Sequence, residues 1–131
     1  MKEEKIRSYT DICNISSKPA RNAAEYIKEH FKGEFSVDDI ADALYLNKSY
    51  LMRVFKEHTG VTLLQFLNMT RCEAAKKLLE DTDMCIESIA YEVGYVTASH
   101  FTRVFKSIVG ATPSKYRRMS IIKRKSHFEN I

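Results

Sequence analysis

The feature that most constrains this chain is a repeat within its 131 residues. The segment Arg-Val-Phe-Lys occurs at 53–56 and again at 103–106. An apolar pattern over 37–44 returns at 86–93 with a shift of 49, whereas the residues after the following break return with a shift of 50. Insertions between copies collect in turns. The repeat therefore predicts two copies of a short helix, a turn and a second helix.

Apolar residues at helical spacing predict helices in the rest of the chain as well. The sequence contains only four glycines and two prolines, so long helices can form and an all-α fold is favoured. A long unmatched helix is predicted from Thr62 to about Glu80, between the two copies. A helical solenoid is disfavoured because such folds need about three or more stacked repeats.

The charge and the cysteine content limit the classes of function. The net charge of +4 permits a polyanionic partner without requiring one. Three cysteines without a Cys-x-x-Cys pair, and a polar start unlike a leader, are typical of a cytoplasmic protein. No apolar run is long enough to cross a membrane. Because the sequence lacks ligand spacing, paired carboxylates and a phosphate loop, we expect no enzyme, no metal and no cofactor.

The outward faces of the two repeated helices carry small, polar and basic side chains and no acid. Small residues let a backbone approach DNA, and an arginine one turn later can bind guanine O6 and N7 with two hydrogen bonds. A solvated basic face is common on a single helix. Two copies, each preceded by a short helix and a turn, favour recognition helices. An alternative stays open: a helical protein-interaction module that binds an acidic partner.

The second copy carries the more specific motifs, which are Ile-Ala-Tyr-Glu-Val-Gly-Tyr, Ser-His-Phe-Thr-Arg-Val-Phe-Lys and Gly-x-Thr-Pro-x-x-Tyr-Arg. With the first copy, these motifs resemble the DNA-binding domain of AraC-type transcription regulators over roughly residues 20–118. The resemblance implies about seven helices, with two helix-turn-helix subdomains joined by a long linking helix. It also implies that the two recognition helices enter adjacent major-groove segments, about 34 Å apart.

The function predicted on these grounds is a sequence-specific transcription regulator that binds double-stranded DNA. RNA polymerase, and a sensory or receiver domain outside these residues, are further candidate partners. The chain is either a small stand-alone regulator or the C-terminal piece of a longer one. The expected segments are a tail or linker over 1–16, subdomains over 17–62 and 81–118, the linking helix over 63–80, and a basic tail over 119–131.

The resemblance also implies which side chains face DNA. Side chains on the outer face of each recognition helix would contact bases, and helix starts and flanking lysines would contact phosphates. The residues expected to face bases are Ser49, Met52, Arg53, Ala98, Ser99, Thr102 and Arg103. The residues expected at the DNA backbone or at a helix start are Asn47, Lys48, Lys56, Thr97, His100, Lys106, Lys115 and Arg117.

Two positions depart from the family pattern. Tyr45 stands where a turn glycine is often found, so the first turn is expected to be less tight. Cys85 occupies the cap position that Ser36 fills in the first copy. Since a thiol caps poorly, the second unit is expected to start at Asp83 or Thr82 instead.

The end of the chain is predicted to be only weakly structured. The segment Thr-Pro-Ser-Lys-Tyr predicts a short last helix, and disorder is expected beyond about Met119. On the linking helix, Arg71 lies beside core positions. Two interpretations of Arg71 stay open, a structural role and a contact with phosphate.

Overall fold

A computed structural model describes residues 14–129, with side chains described as far as residue 125. These residues form seven helices and no strand, which confirms the predicted all-α fold. No helix among them is long and apolar enough to cross a membrane. The described residues belong to two compact units that divide between Thr70 and Arg71. The helices are α1 (Lys18–His30), α2 (Val37–Ala43), α3 (Lys48–Thr59), α4 (Leu63–Asp81), α5 (Ile86–Glu92), α6 (Ala98–Val109) and α7 (Pro113–Glu129).

Side-chain caps fix the starts of most helices. Ser17 caps α1, because its Oγ accepts the N–H of Ala20 at 3.3 Å. Ser36 and Asp39 form a capping box that starts α2, in which Ser36 N–H donates to Asp39 Oδ2 at 2.8 Å and Asp39 N–H donates to Ser36 Oγ at 3.3 Å. Thr62 and Gln65 form a second box that starts α4. Each box satisfies two amide groups that would otherwise lack a partner in the helix.

Unit 1 ends at Thr70 and packs α1 and α2 against α3, with the first turns of α4 completing its core. The Phe55 and Phe66 rings meet edge to face, with centroids 5.6 Å apart. Ile15 is buried as well, so packing begins inside the predicted tail, whose residues 1–13 lie outside the described part. The buried apolar residues of this core are Ile15, Ala20, Ala23, Ala24, Ile27, Ile40, Ala41, Leu51, Val54, Phe55, Leu63, Phe66 and Leu67.

Unit 2 begins at Arg71 and packs α5 and α7 against α6, with the last turns of α4 completing its core. Phe105 lies at the centre of an aromatic cluster, with its ring centroid 5.6 Å from both Phe101 and Tyr116. The buried apolar residues of this core are Cys72, Ala75, Leu79, Ile89, Ala90, Val93, Tyr95, Phe101 and Phe105.

The last helix is much longer than predicted. α7 starts at Pro113 and continues to Glu129, so the expectations of a short helix and of disorder beyond Met119 are both wrong. No glycine or proline follows Pro113, and nothing in the local sequence stops the helix. Hydrogen bonds also hold its first turns, because Arg117 donates to the carbonyls of Leu79 and Thr82 at 3.1 and 3.2 Å.

The turns after α2 and α5 have the same hydrogen bonding, although Tyr45 replaces glycine in the first. Tyr45 has a φ of 58° and Gly94 a φ of 107°. In both turns the N–H of the next residue donates to the carbonyl four positions before the left-handed residue, at 2.9 Å. The expectation of a looser first turn is therefore wrong. A side chain in this conformation costs roughly 1–2 kcal/mol, and Tyr45 is 95 % exposed.

Cys85 stands at the start of α5 without capping it. The helix begins at Ile86, and the Cys85 side chain makes no cap hydrogen bond. The expectation that the second unit starts at Asp83 or Thr82 is therefore wrong. The buried Ile89 and Ala90 fix the position of α5 through packing, which does not depend on the cap.

Candidate nucleic-acid interface

The two repeated helices, α3 and α6, are each 12 residues long and each present one outward face. On α3 the apolar face formed by Leu51, Val54 and Phe55 is buried in unit 1. This burial leaves the predicted base-facing residues of α3 exposed. They are Ser49, Met52 and Arg53.

The predicted base-facing residues of α6 lie together on one surface. Phe101 and Phe105 are buried on the opposite face of the helix. Ser99 and Arg103 are exposed, whereas Ala98 and Thr102 are half-buried. These four residues line an open surface depression together with Lys106. The depression combines small side chains with two cations, which suits a DNA backbone and base edges.

The starts of α3 and α6 are built alike. Asn47 Oδ1 accepts the N–H of Tyr50 at 3.1 Å, and Thr97 Oγ1 accepts the N–H of His100 at 3.1 Å. Both caps were predicted, and both are exposed. Each cap occupies one of the four free amides of its helix, and the remaining free amides can bind a phosphate. Val96, which is 73 % exposed, is the extra residue of the second turn.

The cations that were predicted to contact the DNA backbone differ in their exposure and in the hydrogen bonds that they already make within the protein. Lys56 Nζ donates to the carbonyl of Gly60 at 3.1 Å, at the end of its own helix. Lys106, at the matching position of α6, is exposed. Lys115 is exposed on the first turn of α7. Arg117 is half-buried and donates to carbonyls at the end of α4, so its guanidinium has a structural role.

Arg71 also has a structural role within unit 2. Its guanidinium lies over the Tyr95 ring, 5.1 Å from the centroid. Burial lowers the pKa of Arg71, and the neighbouring Tyr95 partly offsets this effect. Tyr95 in turn packs edge to face against His100, at 5.2 Å between centroids. These contacts support a structural role for Arg71, rather than a contact with phosphate.

Two residues that the sequence interpretation overlooked contact the predicted base-facing Arg53. Glu57 Oε1 lies 3.3 Å from Arg53 Nη1, and the Tyr50 ring lies 5.4 Å from the guanidinium carbon. Lys48 is paired too, with its Nζ 3.5 Å from Asp38 Oδ2. The four-residue spacing between Arg53 and Glu57 is a signal for an ion pair on a helix. The contact of Lys48 with α2 depends on the tertiary fold.

Comparison with known proteins assigns this arrangement to a family. A sequence model of the helix-turn-helix domain family matches residues 40–119, more than half of the chain. The chain belongs to the AraC-type helix-turn-helix family. The family assignment confirms the predicted class of domain, an AraC-type DNA-binding domain with helix-turn-helix units, and does not favour the acidic-partner module.

The solved structures that are similar to this AraC-type chain include domains of a response regulator and of a global transcriptional factor. The C-terminal domain of AraT, a response regulator from Geobacillus stearothermophilus, is 35 % identical, with a TM-score of 0.76 over 79 % of this chain and 86 % of that one. The DNA-binding domain of the global transcriptional factor AdpA, solved in complex with a target DNA, is 27 % identical. Its TM-score is 0.76, over 83 % of this chain and 98 % of that one.

The curated relatives are longer proteins. The bifunctional transcriptional activator/DNA repair enzyme AdaA of Bacillus subtilis is 35 % identical over 96 residues, which make up 73 % of this chain and 46 % of AdaA. The chain spans between 16 % and 46 % of the length of the first three curated relatives that it matches.

Proposed function

We propose that this AraC-type chain recognises a specific double-stranded DNA sequence by placing α3 and α6 in adjacent major-groove segments. The observation that carries the proposal is the matched pair of helices. Each has a capped start, a buried apolar face and an exposed face that carries small, polar and basic residues. Contrary to the acid-free face expected from the sequence, the exposed face of α3 also carries Glu57. Because the two outward faces differ in sequence, a single chain would read an asymmetric site.

The proposal divides the contacts between bases and phosphates. Residues on the outward faces of α3 and α6 would contact base edges, and Arg53 and Arg103 would select guanine. Phosphate contacts would come from the helix starts and from exposed lysines. The proposed base-facing residues are Ser49, Met52, Arg53, Ala98, Ser99, Thr102 and Arg103. The proposed backbone contacts are Asn47, Lys48, Lys56, Thr97, His100, Lys106 and Lys115.

The proposal extends to partners beyond DNA. The similar AraT domain is the C-terminal part of a response regulator, and the curated relatives are longer than this chain. These observations support a sensory or receiver domain joined to residues of this kind. RNA polymerase, as the target of regulation, stays a prediction from the family resemblance. Such a regulator acts where its DNA is, in the cytoplasm. We assign the chain no enzymatic step, since AdaA matches over less than half of its length.

Selection of bound duplexes from a random DNA pool tests the proposal. We expect an enriched asymmetric site with two guanine-containing segments. On this site, Arg53→Ala and Arg103→Ala should each lose about 1–3 kcal/mol of binding free energy and relax the preference within one segment. Lys106→Ala should weaken binding to all sequences and reduce the slope of log K against log salt by about one.

The control is Lys77→Ala, which removes the same charge from α4, outside both recognition helices. Equal effects of Lys77→Ala and Lys106→Ala would contradict a special role for α6. A wild-type chain without salt-dependent affinity for random or selected DNA would overturn the proposal and favour an acidic protein partner instead.

A further inference from the structure

The cations of the two recognition helices differ in their surroundings. Arg53 on α3 pairs with Glu57, and Lys48 pairs with Asp38. α6 contains no acidic residue, and Ser107 occupies the position that matches Glu57. Among the described residues, no carboxylate lies within ion-pair distance of Arg103 or Lys106. On α3, Lys48 and Arg53 are therefore paired with carboxylates and only Lys56 is not, whereas neither Arg103 nor Lys106 of α6 is paired with a carboxylate in the described part of the chain.

The surroundings of Arg53 restrict its orientation as well as its charge. Tyr50 lies three residues before Arg53 and Glu57 four residues after it, so all three occupy one face of α3. The side chains of Arg53 and Glu57 are 61 % and 54 % exposed, and both remain accessible to a partner. An exposed pair of this kind is worth only a factor of about two to five in an equilibrium constant, so DNA can compete for it.

The chemistry of the two competing partners determines what Glu57 does. Guanine O6 and N7 take two of the five N–H donors of a guanidinium, so a donor remains for a carboxylate. A phosphate carries a full negative charge, which the carboxylate of Glu57 repels at short range. Glu57 therefore penalises contacts between Arg53 and phosphate more than contacts between Arg53 and guanine.

We propose that Glu57 is a specificity-determining positioning residue, which holds Arg53 for a base edge and keeps it from binding phosphates of random DNA. This inference rests on the proposed DNA-binding function. It makes α3 the more selective helix and α6 the main source of sequence-independent affinity. Neither role follows from the outward faces alone, which carry Arg and Lys at matching positions.

Reciprocal exchange of the matching residues tests the inference. The test measures binding to the selected duplex and to random duplex DNA over a salt series, with circular dichroism to verify folding. Glu57→Ser should raise affinity for random DNA about two- to fivefold and steepen the salt slope by up to about 0.9. Affinity for the selected site should change less, so the specificity ratio should fall. Ser107→Glu should lower random-DNA affinity and raise the ratio.

A third variant, Glu57→Gln, separates charge from position. Its amide oxygen can still accept a hydrogen bond from Arg53, so the guanine preference should decline less than in Glu57→Ser. If Glu57→Ser changed the affinities for the selected duplex and for random DNA by the same factor, Glu57 would act only through its charge, without affecting specificity. The inference would then be wrong. If the wild-type chain did not bind DNA, the proposed function would be wrong and the inference with it.

Discussion

The two units support their repeated helices, α3 and α6, in different ways. In unit 1, α3 packs against α1, whose buried face consists of three alanines and Ile27. In unit 2, α6 packs against α5 and against α7, and polar contacts fasten α7 to the end of α4. Tyr116 shows both kinds of contact, because its ring packs against Phe105 and its hydroxyl donates to Glu80.

The comparison shows which parts of a helix-turn-helix unit are common to both units and which differ between them. The buried face of the recognition helix, its cap and the left-handed turn before it occur in both units. The supporting helix differs in sequence, in its position along the chain and in the chemistry of its contacts. Non-directional apolar packing tolerates such exchange, whereas the hydrogen bonds of Arg117 require particular carbonyls.

The largest expected effect concerns the hydrogen bonds that hold α7 against the end of α4 in unit 2. Arg117→Ala removes both hydrogen bonds to the carbonyls of Leu79 and Thr82, at the end of α4. Hydrogen bonds from a charged donor to partly buried acceptors predict a loss of about 2 kcal/mol in the free energy of unfolding, measured by urea denaturation. Arg118→Ala is the matched control, because Arg118 is exposed, and should change stability by less than about 0.5 kcal/mol. If both variants lost the same free energy of unfolding, the hydrogen bonds of Arg117 would not be what holds α7 against α4.

The fold could be predicted from the sequence where its signals are local. Helical spacing, the capping residues and the repeat predicted α2, α3, α5 and α6 and the long helix between them. The continuation of α7 beyond Met119 was missed because its contact comes from α4: Arg124 donates to the carbonyl of Glu80, 44 residues earlier in the chain. A tertiary hydrogen bond of this kind leaves no period in the sequence.

The next expected effect concerns the turns before the recognition helices. Tyr45→Gly relieves a left-handed side chain and should stabilise the chain by about 0.5–1 kcal/mol, after the entropy that glycine loses on folding. Gly94→Tyr imposes the same strain on the second turn and should destabilise it by about 1 kcal/mol or more. Thermal unfolding of the two variants measures both signs. If Tyr45→Gly were destabilising, the exposed Tyr45 ring would have to make a favourable contact that exceeds the strain.

The candidate site could be predicted in outline, but its electrostatics could not. Helical spacing placed Ser49, Met52 and Arg53 on an outward face, and the structure finds them exposed. The sequence alone does not show which cations already form ion pairs within the protein. The pair between Lys48 and Asp38 depends on how α2 packs against α3. Whether the outward residues contact bases stays a prediction, which the Arg53 and Arg103 variants test.

The smallest expected effect compares the caps of the two short helices, α2 and α5. Ser36 caps α2, whereas the Cys85 thiol makes no cap hydrogen bond and lies 3.2 Å from Ser88 Oγ. Cys85→Ser places a hydroxyl where it can accept the Ser88 N–H, and should raise the free energy of unfolding by about 0.5–1 kcal/mol, measured by urea denaturation. Cys85→Ala should leave the free energy of unfolding nearly unchanged, while Ser36→Ala should lower it by about 1 kcal/mol. If Cys85→Ala cost as much as Ser36→Ala, the thiol would already be capping α5, and the two units would be more alike than their hydrogen bonds indicate.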